Sequence, residues 1–124
     1  MNRYAWIAAL ALIAAPLPAL AAPPTEVQVK DGVYEDQKGL PLYTFDNDTM
    51  VGMSHGGGEC AKHWPPLAAP AGAKPSGDWT LINREDGSTQ WALKGKPLYT
   101  FAADAAGAPP KGDGLAQKWH LAKP

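Results

Sequence analysis

The residue types that bind soft metal ions are concentrated in one short segment of the chain. Thioether, imidazole and thiol groups between positions 50 and 63 are supplied by Met50, Met53, His55, Cys60 and His63. Sulfur ligands suit Cu(I), and imidazole adds capacity for copper or zinc. However, Cys60 and His63 form only half of a usual zinc signature. We therefore expect no cofactor, with copper or zinc binding by this segment as the alternative.

Cys60 is the single cysteine of the sequence. It therefore has no partner for an internal disulfide, the usual staple of small exported domains. Four roles remain open for it: a buried thiol, an intermolecular disulfide, a metal or cofactor ligand, or a redox-reactive group. Burial is the preferred interpretation because a free cysteine usually behaves as a small apolar residue.

The chain shows no grouping typical of a catalytic site. Cys60 and His63 could act as thiol and base, but no third group that would orient the base is identifiable. The formal net charge is −1 at pH 7, and the chain lacks the basic stripe that nucleic-acid binding needs. We expect a non-enzymatic protein that binds no nucleic acid.

The N-terminal residues have the pattern of a secretory signal peptide. A short basic region precedes an almost continuous apolar stretch over residues 5–20, and a small-x-small pattern predicts cleavage after Ala21. Removal of residues 1–21 leaves residues 22–124 as a periplasmic or secreted protein without a stable membrane span. The residue directly after the predicted cleavage point is Ala22 and not a cysteine, so a lipid anchor is not expected.

One segment of the chain occurs twice. Residues 39–48 return as residues 95–104 with most positions unchanged. A tandem repeat of this kind predicts two related halves that bury their apolar faces against each other. We place the repeats at about residues 26–67 and 78–121, joined by an Ala/Pro/Gly-rich linker within a single domain.

Each repeat contains a pattern typical of a β-hairpin, with two short strands around a Lys-Gly turn. We predict pairing of residues 33–37 with 40–45 and of residues 89–93 with 97–101. Further strands are predicted at 26–30, 78–83 and 118–121, and short helices at 58–63 and 113–117. The predicted fold class is all-β: a small single domain of two pseudo-symmetric antiparallel β-hairpin repeats with few or very short helices.

Alternation along the repeated strands places their aromatic residues on one face. Tyr43 and Phe45 share a face in the first copy, as do Tyr99 and Phe101 in the second. We predict that this aromatic face is the core side and that both repeats share one aromatic core.

The later parts of the two repeats also align. Trp64 then corresponds to Trp119, and Cys60 to Leu115. Recurrence of tryptophan favours a core role over a surface that stacks on sugar rings. An apolar residue opposite Cys60 favours a buried thiol.

The repeated segments carry an ordered set of motifs. The pattern Y-x-F-x-x-D occurs at Tyr43, Phe45 and Asp48 and again at Tyr99, Phe101 and Asp104. Residues 60–67 read CAKHWPPL, and residues 84–91, which end at Trp91, read REDGSTQW. In these motifs the chain resembles a secreted-repeat family of predicted bacterial lipoproteins, defined by a Yx(FWY)xxD motif, whose function is not established.

The chain departs from this family pattern at two places. It lacks the lipidated cysteine, and Gly56 stands where many relatives carry a second cysteine, so a site built on two thiols is not expected. For Asp48 and Asp104 we prefer a structural role, in which the carboxylate accepts backbone N–H groups and closes a turn, over a role in binding a ligand or cation.

These observations predict an exported envelope protein whose partners remain unknown. The first hypothesis is a non-enzymatic binding or stress-associated module of the periplasm. The alternative is a periplasmic copper- or zinc-binding protein that uses the segment from Met50 to His63.

Overall fold

The computed structural model describes residues 22–48 and 59–124 of the chain. The elements in this part are β1 (Val27–Lys30), β2 (Val33–Asp36), β3 (Tyr43–Phe45), α1 (Glu59–His63), β4 (Trp79–Asn83), β5 (Thr89–Leu93), β6 (Lys96–Pro97), a 3-10 helix (Leu115–Gln117) and β7 (Trp119–Leu121). All strand pairs are antiparallel: β1 with β2, β3 with β7, and β5 with both β4 and β6. The predicted all-β fold of antiparallel hairpins with very short helices is confirmed.

Glycine turns set the register of the hairpins. Asp31 and Gly32 connect β1 to β2 with φ angles of 52° and 77°, and Lys94 and Gly95 connect β5 to β6 with 53° and 81°. Two successive positive φ angles are typical of the tight turns that match strand twist, and glycine adopts them without steric cost. The predicted pairing across Lys94-Gly95 is confirmed, although β6 ends at Pro97.

The corresponding turn in the first repeat is wider. Asp36 Oδ1 accepts hydrogen bonds from the N–H groups of Lys38 and Leu40, both at 2.9 Å. The chain then returns along β2, where Glu35 lies opposite Pro41. The predicted hairpin of the first repeat is confirmed, because Asp36 N–H donates to Leu40 O and Leu42 N–H donates to Tyr34 O, both at 2.9 Å. On its other side, β2 makes a longer pairing with β1.

The two repeats exchange their last segments. In the first half, β3 pairs with β7 from the second repeat, so that Phe45 lies opposite Trp119. In the second half, residues 66–68 from the first repeat pair with Tyr99 and Gln90. Each repeat therefore completes the sheet of the other, and the hairpins are not self-contained units.

The centre of this exchange lies between the two equivalent tyrosines. Tyr43 N–H donates to Tyr99 O at 2.8 Å, and Tyr99 N–H donates to Tyr43 O at 3.0 Å. Equivalent residues pair with each other only at a pseudo-twofold axis. The repeated motif therefore lies at the axis of the molecule.

Both faces of the repeated strands are buried: the aromatic face forms a core shared by both repeats, as predicted, and the opposite face forms a second core that was not predicted. One cluster contains Tyr43, Trp64, Tyr99 and Trp119, with Phe45, Phe101 and Leu121 packed against it. The other contains Val27, Tyr34, Leu42, Leu67, Trp79, Trp91, Leu98 and Ala122. Strand alternation sends Leu42 and Leu98 to the face opposite the tyrosines, and the β1–β2 and β4–β5 hairpins cover that face.

Candidate functional site

The tyrosine and aspartate of the repeated motif bind each other across the two repeats. Tyr43 Oη donates to Asp104 Oδ2 at 2.6 Å, and Tyr99 Oη donates to Asp48 Oδ2 at 2.8 Å. Tyr43 and Tyr99 have no exposed surface, and Asp48 is 8% exposed. A buried hydroxyl needs a partner, and a carboxylate acceptor gives a short, strong hydrogen bond. Each copy of the motif therefore supplies half of each pair.

Backbone groups complete the first of these pairs. Asp104 Oδ1 accepts the Lys111 N–H at 2.8 Å, and the Gly112 N–H donates to Tyr43 Oη at 3.2 Å. In addition, the N–H groups of Asp48 and Asp104 donate to Phe45 O and Phe101 O, both at 3.0 Å. The aspartates thus sit in tight turns and also reach across the axis.

The aromatic residues of the two repeats form a continuous stack of four rings. Trp64 and Trp119 lie face to face with centroids 3.6 Å apart and an angle of 2° between planes. Phe101 covers the outer face of Trp64 at 4.2 Å, and Phe45 covers the outer face of Trp119 at 4.3 Å. Both indoles are 6% exposed, so their faces are not available to sugar rings.

Trp91 and Trp79 belong to the other core, where each is 3% exposed. Trp91 Nε1 donates to Glu26 Oε2 at 3.2 Å, which gives the buried indole its polar partner. Tyr34 meets Trp79 edge-on, with centroids 5.2 Å apart. Trp91 therefore lies away from the four-ring stack, although it belongs to the same set of sequence motifs.

The position of Cys60 contradicts the expected burial, because Cys60 is a free and exposed thiol. It lies on α1, a helix of only five residues. Its counterpart Leu115 is 43% exposed. The two repeats thus match at this position as the alignment predicts, but an apolar residue there lies at the surface because only the following tryptophans enter the core.

Of the predicted metal ligands, Cys60 and His63 lie together. Both are exposed on α1 and both line one open cavity of about 400 Å³. Met50, Met53 and His55 lie outside the described residues. Within residues 22–48 and 59–124, no three His, Cys, Asp or Glu side chains are grouped closely enough to hold a metal ion.

The cavity beside α1 is the site that combines exposed apolar surface with reactive side chains. Cys60 and His63 form its polar part, and Trp64, Phe101 and Leu115 form its apolar part. The aromatic lining, Trp64 and Phe101, belongs to the four-ring stack. A cavity of this size, mostly apolar with a few polar groups, falls within the range of small-ligand sites.

Comparison with known sequences also finds two repeats in this chain. The model of a family described as a secreted repeat of unknown function matches residues 26–68 and again residues 80–123. The chain belongs to this family. No curated protein and no solved structure shows significant similarity to it.

For this member of the secreted-repeat family, the two matched regions coincide with the two strand-exchanged halves. The described residues include no helix with the length and apolar character needed to cross a membrane.

The sequence did not reveal that Gly112 contacts Tyr43 and Trp64. Its Cα faces Tyr43 and Trp64 so closely that a Cβ there would lie 2.7 Å from Trp64 Cη2. The alignment of Gly112 with Gly57 is the signal that could have indicated a required glycine. An alignment of two copies alone does not distinguish such a glycine from an ordinary loop residue.

The protonation of Tyr43 gives a prediction at alkaline pH. Burial and the hydrogen bond to the Asp104 carboxylate raise the pKa of Tyr43 well above its ordinary value of 10.0. In the unfolded chain Tyr43 ionises near that ordinary value, so unfolding releases a proton above it and stability falls as pH rises. We expect this one group to lower the free energy of unfolding by up to about 1.4 kcal/mol per pH unit above pH 10.

Urea denaturation of wild type and Tyr43→Phe between neutral pH and pH 11 measures this effect. The variant is less stable at neutral pH, because Asp104 and Gly112 lose a partner. Its stability should then decline less steeply above pH 10 than that of the wild type. Parallel declines would contradict the assignment.

Proposed function

We propose that this protein is a non-enzymatic binding module of the cell envelope, exported to the periplasm, whose ligand occupies the cavity beside α1. The observation that supports this function is the cavity itself, in which exposed Leu115 and the edge of the aromatic stack lie beside Cys60 and His63. A ligand with an apolar ring or chain gains by covering this surface.

The arrangement of the other polar groups argues for binding rather than catalysis. The motif tyrosines and aspartates are hydrogen-bonded to each other across the axis. In the cavity, Cys60 and His63 are three residues apart on one short helix. Acyl transfer or a similar reaction would also need an orienting group and donors for a developing oxyanion.

Leu115 and Val29 provide a matched test of this cavity. They are both large exposed apolar residues, at 43% and 50%, but only Leu115 lines the cavity. We expect the fluorescent probe 8-anilinonaphthalene-1-sulfonate to bind the wild type and to bind Leu115→Ser several-fold more weakly. Removal of one leucine side chain from the surface that the probe covers weakens binding by roughly 1–2 kcal/mol.

The Val29→Ser control should bind the probe as the wild type does. Fluorescence titration at native pH, with near-ultraviolet circular dichroism to verify the fold, distinguishes the variants. Equal probe affinity in Leu115→Ser and wild type would place the apolar site elsewhere and refute the proposed cavity.

A second candidate function is periplasmic copper or zinc binding. It is favoured by the joint exposure of Cys60 and His63 toward one cavity. Thiolate and imidazole suit copper and zinc, and Met50, Met53 and His55 precede them in the chain. The exposed Cys60 thiol is also able to form an intermolecular disulfide. A metal ion bound to its thiolate would hinder this reaction.

Elemental analysis of untagged mature protein, followed by anaerobic Cu(I) and Zn(II) titration, tests this candidate. Stoichiometric metal should be bound by the wild type and lost in the Cys60→Ser, His63→Ala double variant. The control is His120→Ala, which removes an exposed imidazole 2.9 Å from Asp46 Oδ2 without touching α1. Equal metal binding by wild type and the double variant would refute the site.

A further inference from the structure

We propose that the four-ring stack and its two tyrosine–aspartate pairs form a radical sink, in which an electron lost from the paired indoles is replaced from Tyr43 or Tyr99. This activity is independent of the ligand in the cavity. It rests on three features of the described residues: the stacked indoles, the edge-on tyrosines and the carboxylates that hold the tyrosine hydroxyls.

The stacked indoles are the first feature. Trp64 and Trp119 overlap at 3.6 Å with planes within 2° of parallel. At this distance a positive charge left by loss of one electron is shared between both π-systems, which makes the pair easier to oxidise than a single indole. The outer rings of Phe45 and Phe101 extend the stack and shield the charge from water.

The edge-on tyrosines are the second feature. Tyr43 packs against Trp64 with centroids 5.2 Å apart, and Tyr99 against Trp119 at 5.3 Å. The rings meet in van der Waals contact at near-perpendicular angles, 82° and 86°. Electron transfer over such a contact needs no intermediate group.

The carboxylates are the third feature. A buried phenol that loses an electron must also lose its proton, because the cation is strongly acidic and poorly solvated. Asp104 Oδ2 lies 2.6 Å from Tyr43 Oη, and Asp48 Oδ2 lies 2.8 Å from Tyr99 Oη. Both acceptors are therefore in place to take the proton along an existing hydrogen bond.

The proposed reaction moves one electron and one proton. A one-electron oxidant, such as a small inorganic or organic radical, removes one electron from the indole pair and is itself reduced. Tyr43 then donates one electron to the pair, and its hydroxyl proton moves to Asp104. The products are restored indoles, a neutral tyrosyl radical and a protonated carboxyl group, with one electron lost overall.

The location of the stack suits this role. Trp64 and Phe101 line the open cavity beside α1, so an oxidant in that cavity contacts the stack directly. The tyrosyl radical forms at a ring with no exposed surface. The other core differs from the four-ring stack. Among the described residues, its aromatic contact is one edge-on pair, Tyr34 with Trp79.

Pulse radiolysis with azide radical tests the proposal on the mature protein. In the wild type we expect the indolyl radical band to decay as the tyrosyl band grows. In the Tyr43→Phe, Tyr99→Phe double variant the indolyl radical should persist, while Tyr34→Phe behaves as the wild type. The Asp48→Asn, Asp104→Asn double variant keeps similar shapes but lacks the bases, so transfer should slow by about 100-fold or more.

Two results would overturn the inference. One is an unchanged yield of tyrosyl radical in the double phenylalanine variant, because Tyr34 would then be the acceptor. The other is an unchanged transfer rate in the double asparagine variant, because the carboxylates would then take no part. Near-ultraviolet circular dichroism of the stacked indoles verifies in each variant that the pair is intact.

Discussion

Replacement of Trp64 by alanine should lower the free energy of unfolding by about 3–5 kcal/mol. Trp64 is 6% exposed and lies between Trp119 and Phe101, so its removal leaves a cavity between two rings of the stack. It also removes the nearer of two edge-on ring partners of Tyr43, the other being Phe101. Because small domains are stable by only about 5–15 kcal/mol, we expect the urea midpoint to fall sharply.

The pseudo-symmetry provides a second measurement of the same effect. Trp119→Ala opens the equivalent gap beside Phe45 and Tyr99, so its cost should be similar. The two costs should not add, because both variants lose the same indole–indole contact, and residues in contact couple by about 0.5–3 kcal/mol. Val29→Ala, at the exposed surface, should change stability by no more than about 0.5 kcal/mol. Strictly additive costs would mean that the stacked pair contributes nothing beyond burial.

The strands and turns of this fold follow from local sequence signals. Lys94-Gly95 marks a tight turn directly after the predicted strand over residues 89–93, and the β5–β6 hairpin forms across this turn. The repeat itself predicted two related halves. These signals lie within a few residues of each other, where chain geometry leaves few alternatives.

The strand exchange was not predictable from the same signals. Residues 66–68 pair with Tyr99 and Gln90, and β7 pairs with β3, across long stretches of sequence. Alternation shows which residues share a face, but not which distant strand completes a sheet. It also could not show that both faces of the repeated strands are covered, as the full burial of Leu42 and Leu98 opposite the tyrosines demonstrates.

The contacts of the motif explain why two copies occur in one chain. A single copy would bury a tyrosine without its aspartate and an indole without its stacking partner. The second copy supplies both, through Tyr43 with Asp104 and Tyr99 with Asp48. The sequence identified all four residues but assigned the aspartates to local turns, because the partner of each lies in the other repeat.

The alignment of the two repeats predicted which residue is equivalent to Cys60, but it did not predict that Cys60 is exposed. It placed Cys60 opposite Leu115 correctly, and the two residues line one cavity. Apolar character does not indicate burial at this position, because Leu115 is 43% exposed. The exposure of Cys60 and Leu115 at equivalent positions beside one cavity is the basis of the proposed function.

Gly112→Ala should be among the most damaging single substitutions, with an expected cost of about 3 kcal/mol or more. The added Cβ would lie 2.7 Å from Trp64 Cη2 and 3.1 Å from the Tyr43 ring. Trp119 and Phe101 stack on the two faces of Trp64, so a displacement of this indole would disturb the stack. A shift of Gly112 would instead lengthen the hydrogen bond from its N–H to Tyr43 Oη.

Gly107→Ala is the matched control for this substitution. Gly107 lies in the same loop region with a φ of +78°, and a Cβ there would meet no atom within 4 Å. Its replacement should therefore cost only the backbone strain, about 1 kcal/mol. Urea denaturation, together with circular dichroism of the indole pair, compares the two variants. If Gly112→Ala were no more destabilised than Gly107→Ala, with an unchanged indole signal, the close packing of Gly112 against Trp64 and Tyr43 would be refuted.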